Sequence, residues 1–139
     1  MSYDQIYTIA AEAMRLEKLR VDVVASNIAN QHSLQTESSQ FQPLQVLATA
    51  KPFDAYLADP EAKGFAEISL VPVNLPPNKV YQPGHPAADK QGYVSYPGLS
   101  MVDEMTTLLR ASRAYEANVK VINSAHSLYL HALSIGEER

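Results

Sequence analysis

Cysteine is absent from the 139 residues of this chain, and an excess of positive charge is missing as well. Without cysteine, neither a disulfide framework nor a thiolate metal site can form. The net charge of −4 at pH 7 argues against a nucleic-acid partner, because such a partner requires a basic face. These two absences exclude disulfide-rich scaffolds and the usual nucleic-acid-binding domains.

Long apolar runs are also missing. No stretch approaches the ~18 consecutive apolar residues that indicate a membrane-spanning helix. Asp4 stands where a signal peptide carries positive charge, and charged residues then interrupt any apolar core at Glu12, Arg15, Glu17 and Lys18. We therefore expect that, if the protein leaves the cytoplasm, it does so without a cleaved signal peptide.

Proline and glycine are missing from both ends of the chain, apart from Gly136. All nine prolines lie between Pro43 and Pro97, and four of the five glycines lie between Gly64 and Gly98. Since both residue types interrupt helices, their distribution predicts three parts of one domain. These are an N-terminal helical arm (1–30), a turn-rich middle segment (31–98) and a C-terminal helical arm (99–139).

The N-terminal arm has the periodicity of a helix from about residue 3 to residue 29. Ser2 and Gln5 have the spacing of a capping box at its start. One stripe at spacings of three and four consists of Ile6, Ile9, Ala13, Leu16, Arg20, Val23 and Asn27. A neighbouring stripe consists of Ala10, Met14, Val21, Val24 and Ile28.

The C-terminal arm has a longer and more regular pattern, from about residue 101 to residue 135. Pro97 and Gly98 break the chain before it, and Ser100 followed by Asp103 is a helix start signal. Steps of three and four, typical of a coiled-coil seam, connect Met105, Leu108, Ser112, Tyr115, Val119, Ile122, His126, Tyr129 and Leu133. A second stripe consists of Val121, Ala125, Leu128, Ala132 and Ile135.

The predicted fold is mainly α with a small β element. The two long helices pack as a coiled-coil-like pair, parallel or antiparallel, and the middle segment contains a short β-hairpin. If the two seams bury each other, the second stripes stay exposed. Because a helix with several apolar stripes needs more than one neighbour, we expect other subunits to cover them.

The middle segment contains three candidate strands. The stretch FAEISLVPV, from Phe65 to Val73, is the clearest of them. KVYQPG (79–84) and GYVSYPG (92–98) flank the turn-rich sequence PGHPAADKQ, which predicts a small hairpin. Residues 31 to about 60 show no firm periodicity.

Residues suited to catalysis or metal binding are few. His126 and His131 are five residues apart on a helix, so they do not form the i, i+4 pair of a metal site. His85 and Asp89 have the chemistry of a general base and its orienting group, but no nucleophile motif accompanies them. We therefore expect no catalytic, cofactor-binding or metal-binding residues.

Three motifs resemble those of bacterial flagellar rod proteins, most closely the FlgC-type proximal rod proteins. VVASNIANQHS (23–33) is similar to the end of their N-terminal helix. KVYQPGHPAADKQGYVSYPG (79–98) resembles a segment typical of this rod type. MVDEMTTLLRASRAYEANVKVINSAHSL (101–128) resembles their C-terminal helix, with its core at Arg113, Tyr115, Ala117 and Asn118. Between Gln31 and about Phe65 the family pattern does not align.

The resemblance implies a structural subunit of the flagellar basal body, not an enzyme. It implies export by the flagellar type III apparatus and assembly in the periplasmic space into a helical rod that transmits motor torque. The implied partners are other copies of the chain, other rod proteins and the MS-ring protein, with no nucleic acid or small-molecule substrate. The expected subunit interface consists of Ile6, Ile9, Leu16, Val23, Asn27, Asn30, Met105, Leu108, Tyr115, Asn118, Val119, Ile122, His126, Tyr129 and Leu133.

Asparagines occupy unusual positions in both predicted helices. Asn30 is suited to a left-handed C-terminal cap, since asparagine tolerates positive φ. This does not explain Asn27, one turn earlier, or Asn118, deep in the other helix. A buried amide in an apolar seam fixes register at some cost in stability. We hypothesise that all three amides form hydrogen bonds across packed helices.

Two alternatives to a proximal rod subunit remain. One is another rod or hook-like component of the flagellum, and the other is a soluble coiled-coil adaptor or export chaperone. A rod subunit should have loosely helical arms before assembly, because their partners are absent. We expect the free chain to sediment as a monomer with weak helicity by circular dichroism, whereas a stable, fully helical dimer would favour the adaptor.

Overall fold

The computed structural model describes residues 3–36, 40–52, 54 and 66–137. Within these ranges, a long helix near each end of the chain flanks a middle segment that contains the strands. The elements are α1 (Tyr3–Ala29), β1 (Leu44–Ala50), β2 (Ala66–Pro72), β3 (Asn78–Tyr81), β4 (Tyr93–Tyr96) and α2 (Met101–Glu137). The mainly helical fold with a small β element is therefore confirmed. Ser2 and Phe65, predicted in a capping box and a strand, lie outside the described residues.

The start of α2 matches its sequence signal. The Ser100 hydroxyl oxygen accepts a hydrogen bond from the Asp103 N–H at 3.4 Å, and the Ser100 carbonyl oxygen accepts one from the Glu104 N–H at 3.0 Å. The two acidic side chains in this first turn also lie near the positive end of the helix dipole. The predicted helix start is confirmed.

The end of α1 differs from the predicted cap. The Asn30 N–H donates to the Ser26 carbonyl oxygen at 3.1 Å, and the Ser33 N–H donates to the Asn30 carbonyl oxygen at 3.0 Å. Gly92 is the only residue with positive φ among those described, so the left-handed conformation expected for Asn30 is wrong. The successive turns after Ala29 satisfy the terminal carbonyl groups without it.

The helices α1 and α2 pack against each other in opposite directions. Asn27, near the end of α1, donates a hydrogen bond to Glu104, near the beginning of α2, and no other pair of elements is in more extensive contact than these two helices. Ala111 and Ala125 are the most buried residues of α2. Their small side chains allow α1 to approach closely.

A hairpin formed by β1 and β2 covers another side of α1. The strands are antiparallel, and Val46 of β1 packs with Leu16 and Val23 of α1 in the apolar core. Each of these side chains contributes ~1.5–3 kcal/mol when fully buried. The sequence did not predict β1. It supplies a second neighbour for α1, since Leu16 and Val23 pack against it. We had expected further neighbours from other subunits, but Ala10 and Val24 of the second α1 stripe are already buried within the chain.

The predicted hairpin between β3 and β4 is confirmed. Its loop is held by the Asp89 carboxylate, which accepts hydrogen bonds from the Gln91 N–H at 2.8 Å and the Tyr93 N–H at 2.9 Å. The bond from Tyr93 is the main cause of a pKa of Asp89 below its usual value. Gly92 has φ 84°, a conformation that costs glycine little. The loop is therefore ordered by its own backbone contacts.

The second hairpin is joined to the end of α1. The Gln35 N–H donates to the Ser95 carbonyl oxygen at 2.9 Å, and Val94 is almost completely buried beside this contact. Gly98, which follows β4, passes so close to the backbone of Pro76 that an added Cβ would overlap the Pro76 carbonyl oxygen. The connection from β4 to α2 thus depends on a residue without a side chain.

Gly98→Ala should destabilise the fold by about 3 kcal/mol, because the new methyl group must displace backbone. Gly84→Ala is the matched control, since a Cβ there meets no atom within 4 Å. This control should leave the free energy of unfolding unchanged or raise it by up to about 1 kcal/mol. Urea denaturation measures both. Equal stability of the two variants would contradict the close approach of Gly98 to Pro76.

Candidate assembly surface

The side chains considered for catalysis or metal binding either form hydrogen bonds within a loop or lie exposed on α2. The Nδ1 atom of His85 accepts a hydrogen bond from the Ala87 N–H at 3.1 Å, while the Asp89 carboxylate is engaged by backbone N–H groups. His126 and His131 are exposed on α2. Within the part of the chain that the structure describes, no group of three or more His, Asp or Glu residues is arranged to hold a metal ion, and no helix is long and apolar enough to cross a membrane.

The Asn27 side chain connects three elements of the fold. Its Nδ2 group donates to the Leu44 carbonyl oxygen at 2.9 Å and to Oε2 of Glu104 at 3.2 Å. Its Oδ1 atom accepts the Leu44 N–H at 3.2 Å. The amide therefore pairs with both backbone groups of one β1 residue, as a neighbouring strand would. We call this set of three hydrogen bonds the Asn27 junction.

The direction of the Leu44 backbone groups follows from the pairing of the strands. The Val73 N–H donates to the Pro43 carbonyl oxygen at 2.8 Å, so Pro43 and Val73 form a hydrogen-bonded pair. Paired residues alternate in an antiparallel ladder, and Leu44 stands opposite Pro72 in the next, non-bonded pair. The N–H and C=O of Leu44 consequently point away from β2, toward α1. The Asn27 junction occupies this edge of β1.

A groove of about 630 Å³ adjoins the Asn27 junction. Its walls come from α1, from the first residues of β1, from the segment that follows β2 and from the first half of α2. The apolar part of the wall consists of Val23, Val24, Val46, Leu75, Leu99 and Ala111. Charged groups also line it, among them Glu17 and Arg20, whose side chains form an ion pair at 2.6 Å. The groove is thus a mixed surface, open to solvent.

The side chains of the other two asparagines bond to groups three or four residues away along the chain. The Nδ2 group of Asn30 donates to the Ser26 carbonyl oxygen at 2.9 Å. The Nδ2 group of Asn118 donates to the Ala114 carbonyl oxygen, also at 2.9 Å. Within this chain, the hypothesis of hydrogen bonds across packed elements is therefore confirmed for Asn27, which is 3% exposed, and not for Asn30 or Asn118.

The predicted stripe on α2 lies beside the face that packs on α1. Leu108, Val119 and Ile122 are partly buried, whereas the remaining large side chains of the stripe are exposed: Met105, Tyr115, His126, Tyr129 and Leu133. The expectation that the two seams bury each other is therefore wrong for much of α2. The alanines at 111 and 125 face inward because α1 packs closest where side chains are small.

The predicted residues of α1 divide into two groups. Leu16 and Val23 lie in the core formed with Val46, and Asn27 lies in the junction. Ile9 is exposed and Ile6 is partly exposed. Those two side chains therefore remain available on the surface of α1, while the other three act within the chain.

Removal of the Asn27 amide should destabilise the fold more than removal of any other asparagine amide on these helices. Asn27→Ala leaves the N–H and C=O of Leu44 without a partner, at a cost of about 3 kcal/mol. Asn118→Ala is the matched control and should change the free energy of unfolding by less than about 1 kcal/mol, since Asn118 bonds only its own helix. Thermal and urea denaturation compare the two. An equal decrease in the free energy of unfolding for the two variants would contradict a stabilising role of the Asn27 junction.

Comparisons with known proteins extend over the whole chain. Residues 90–135 match the model of the flagellar basal body rod FlgEFG protein C-terminal family. The flagellar basal-body rod protein FlgC of Salmonella typhimurium is 35% identical over 139 residues, covering 99% of this chain and 100% of that protein. The FlgC protein of Escherichia coli O157:H7 is 36% identical with the same coverage.

A more distant bacterium provides a third relative. The FlgC protein of Borreliella burgdorferi is 33% identical over 141 residues, covering 91% of this chain and 93% of its own. These matches include residues 31–65, where the motifs alone did not align. The chain therefore belongs to the FlgC family of flagellar basal-body rod proteins.

Proposed function

We propose that this protein is a structural subunit of the proximal rod of the flagellar basal body. It assembles helically with other copies of itself and with other rod proteins, and it transmits torque from the MS-ring to the hook and filament. The observation that carries this proposal is the exposed apolar surface of α2, in a chain whose relatives are named as rod proteins.

The surface of α2 exposes large apolar side chains over its whole length. They are Met101, Val102, Met105, Leu109, Tyr115, Val121, Leu128, Tyr129, Leu130, Leu133 and Ile135. Isolated exposed apolar residues need no explanation, but a continuous series on one 37-residue helix indicates an interaction surface. By contrast, α1 already has α2 and the β1–β2 hairpin as neighbours. Assembly therefore depends mainly on α2.

The energetics favour assembly through many contacts over a single tight pair. Burial of one such side chain contributes ~1.5–3 kcal/mol, so six of them supply roughly 9–18 kcal/mol. Association costs ~4–15 kcal/mol in lost rigid-body freedom, with more for side-chain ordering. A subunit that contacts one neighbour gains little, and a subunit enclosed by several is held firmly. This suits a rod that must not dissociate under torque.

The proposed subunit interface follows from the exposed and partly exposed residues of the predicted set. On α2 these are Met105, Leu108, Tyr115, Asn118, Val119, Ile122, His126, Tyr129 and Leu133. On α1 they are Ile6 and Ile9, and Asn30 follows directly after its end. Leu16, Val23 and Asn27 contribute indirectly, because they fix α1 and the first hairpin in the position from which α2 is presented.

The proposed location is the rod within the periplasmic space, reached through the flagellar type III export apparatus. The role is structural and involves no catalysis, cofactor, nucleic acid or small-molecule substrate.

Met105→Glu tests the proposed interface in flagellated cells. The charge should block assembly because it cannot be buried among apolar helices, while the exposed position leaves the free subunit folded. We expect at least a tenfold reduction of the variant in purified basal bodies, loss of swimming in soft agar, and an unchanged melting temperature. Met105→Leu is the control and should assemble normally. Incorporation of the Met105→Glu variant into basal bodies in the same amount as the unsubstituted chain would contradict the proposed surface.

A further inference from the structure

A second cavity, smaller than the groove beside the Asn27 junction, lies where the segments that lead into and out of the two hairpins meet. Its volume of about 500 Å³ is within the ~300–1,000 Å³ of pockets that hold small molecules. We infer that this cavity, which we call the hairpin pocket, binds a neutral saccharide that carries N-acetyl groups. The inference goes beyond the proposed rod function and does not depend on it.

Hydrogen bonds hold the walls of the hairpin pocket together. The walls come from the connection between α1 and β1, from the connection between β2 and β3, and from the end of β4 with the residues after it. The Val73 N–H donates to the Pro43 carbonyl oxygen at 2.8 Å, and the Gln35 N–H donates to the Ser95 carbonyl oxygen at 2.9 Å. Because these bonds fix the walls before a ligand arrives, less entropy is lost on binding.

The lining of the hairpin pocket is polar but uncharged. None of the described residues that line it has an ionised side chain. Its polar side chains are four amides and one hydroxyl, those of Gln35, Gln40, Gln42, Asn74 and Ser95. An ionic ligand would lose hydration there without gaining a charged partner. The ligand that fits is therefore neutral and rich in hydrogen-bonding groups.

Gln42 and Asn74 form a pair of side-chain amides at the pocket. The Nε2 group of Gln42 donates to Oδ1 of Asn74 at 3.0 Å, and both side chains are exposed. Oε1 of Gln42 and Nδ2 of Asn74 form no hydrogen bond with any residue in the described ranges. The pair thus offers an acceptor and a donor to a ligand. An N-acetyl group supplies the complementary N–H donor and C=O acceptor.

Two further polar groups suit the hydroxyl groups of a sugar. The Nε2 group of Gln35 donates to the Phe41 carbonyl oxygen at 2.9 Å, while its Oε1 atom accepts no hydrogen bond from the part of the chain that the structure describes. The Ser95 side chain can donate or accept, as any hydroxyl can. Sugar hydroxyls also do both, so they can pair with either group.

Ring-shaped side chains supply the apolar part of the pocket. Phe41 is half-buried, and Pro43 and Pro97 are buried. A pyranose ring has flat C–H faces that pack well on such rings, and an aromatic ring adds a large contact area. The rings therefore provide apolar contact, and the amides determine which substituent is recognised.

An extended peptide is the alternative ligand, since its backbone also offers N–H and C=O groups. Such peptides usually bind by pairing with a free strand edge. In the hairpin pocket the carbonyl groups of Pro43 and Ser95 already accept backbone hydrogen bonds, and Pro77 and Pro97 have no N–H to donate. Because the backbone offers little for a peptide to pair with, the pocket favours a saccharide.

Titration of the full chain with tri-N-acetylchitotriose, followed by NMR, tests the inference. We expect saturable shifts of the side-chain NH₂ signals of Gln42 and Asn74, with a Kd of ~1 mM or below. Cellotriose, in which hydroxyl groups replace the acetamido groups, should bind at least fivefold more weakly. No saturable shift at ~10 mM tri-N-acetylchitotriose would overturn the inference. Equal binding of the two sugars would overturn the assignment of N-acetyl groups.

Substitutions in the pocket provide the second arm. Asn74→Asp removes the available donor and keeps the Oδ1 atom that accepts from Gln42, so the affinity for tri-N-acetylchitotriose should fall at least tenfold. Asn78→Asp is the matched control, since Asn78 is exposed on β3 outside the pocket. It should leave the affinity within twofold. Equal effects of the two substitutions would contradict the site, and full affinity of Phe41→Leu would contradict packing of the sugar on the aromatic ring.

A short neutral peptide, acetyl-trialanine amide, separates the two classes of ligand. Shifts of the Gln42 and Asn74 signals with this peptide and not with the sugar would overturn the saccharide assignment. Sugar-induced shifts confined to residues outside the pocket would overturn the location. Each of these failures leaves the proposed rod function intact, because incorporation of Met105→Glu into basal bodies tests that function separately.

Discussion

The fold depends on the side-chain amide of Asn27, which forms hydrogen bonds with β1 as the backbone of a neighbouring strand would. Asn27 uses both donors and its acceptor at once, on the N–H and C=O of Leu44 and on the carboxylate of Glu104. Buried polar groups are tolerated only when they are fully paired, and this pairing can be satisfied in one arrangement of α1, β1 and α2. Apolar contacts alone would allow the helices to slide by a turn, whereas these hydrogen bonds do not.

A fixed arrangement of α1 explains why α2 carries the exposed surface. The β1–β2 hairpin packs on the side of α1 that contains Leu16 and Val23, and α2 packs on another side. Less of the surface of α1 is therefore available to further neighbours. The small residues Ala111 and Ala125 bring α2 close to α1 and turn its bulky side chains outward. The surface of α2 consequently keeps an unfilled requirement for apolar contact.

The helices and the second hairpin were predictable because their signals are local. Breakers are absent from α1 and α2 almost to their ends, and the turn residues of the loop held by Asp89 stand between two short strands. The strand β1 was not predictable in the same way. In the β1 sequence LQVLATA, Leu47 is an apolar residue on the exposed face, so the alternation of apolar and polar residues is weak. The partner strand β2 also begins sixteen residues after β1 ends, so no short turn between the strands signals a hairpin.

The role of Asn27 was predictable in kind but not in partner. Its depth in a helix indicated a structural hydrogen bond, while Leu44 lies seventeen residues away in a stretch without periodicity. Likewise, the predicted contact stripe on α2 was based on its large apolar side chains. The contact with α1 instead involves Ala111 and Ala125, and alanines contribute little to a hydrophobic pattern. In both cases the missing information was tertiary, since small residues and backbone groups decide how closely two elements approach.

Hydrogen exchange of the Leu44 amide tests the Asn27 junction most directly. This N–H points away from β2, so Asn27 is its hydrogen-bond partner in the fold. If the junction organises the structure, the Leu44 amide should be protected to the same degree as the amides of Gln45 and Leu47, which face β2. Rapid exchange at Leu44, with protection retained at its neighbours, would contradict the account.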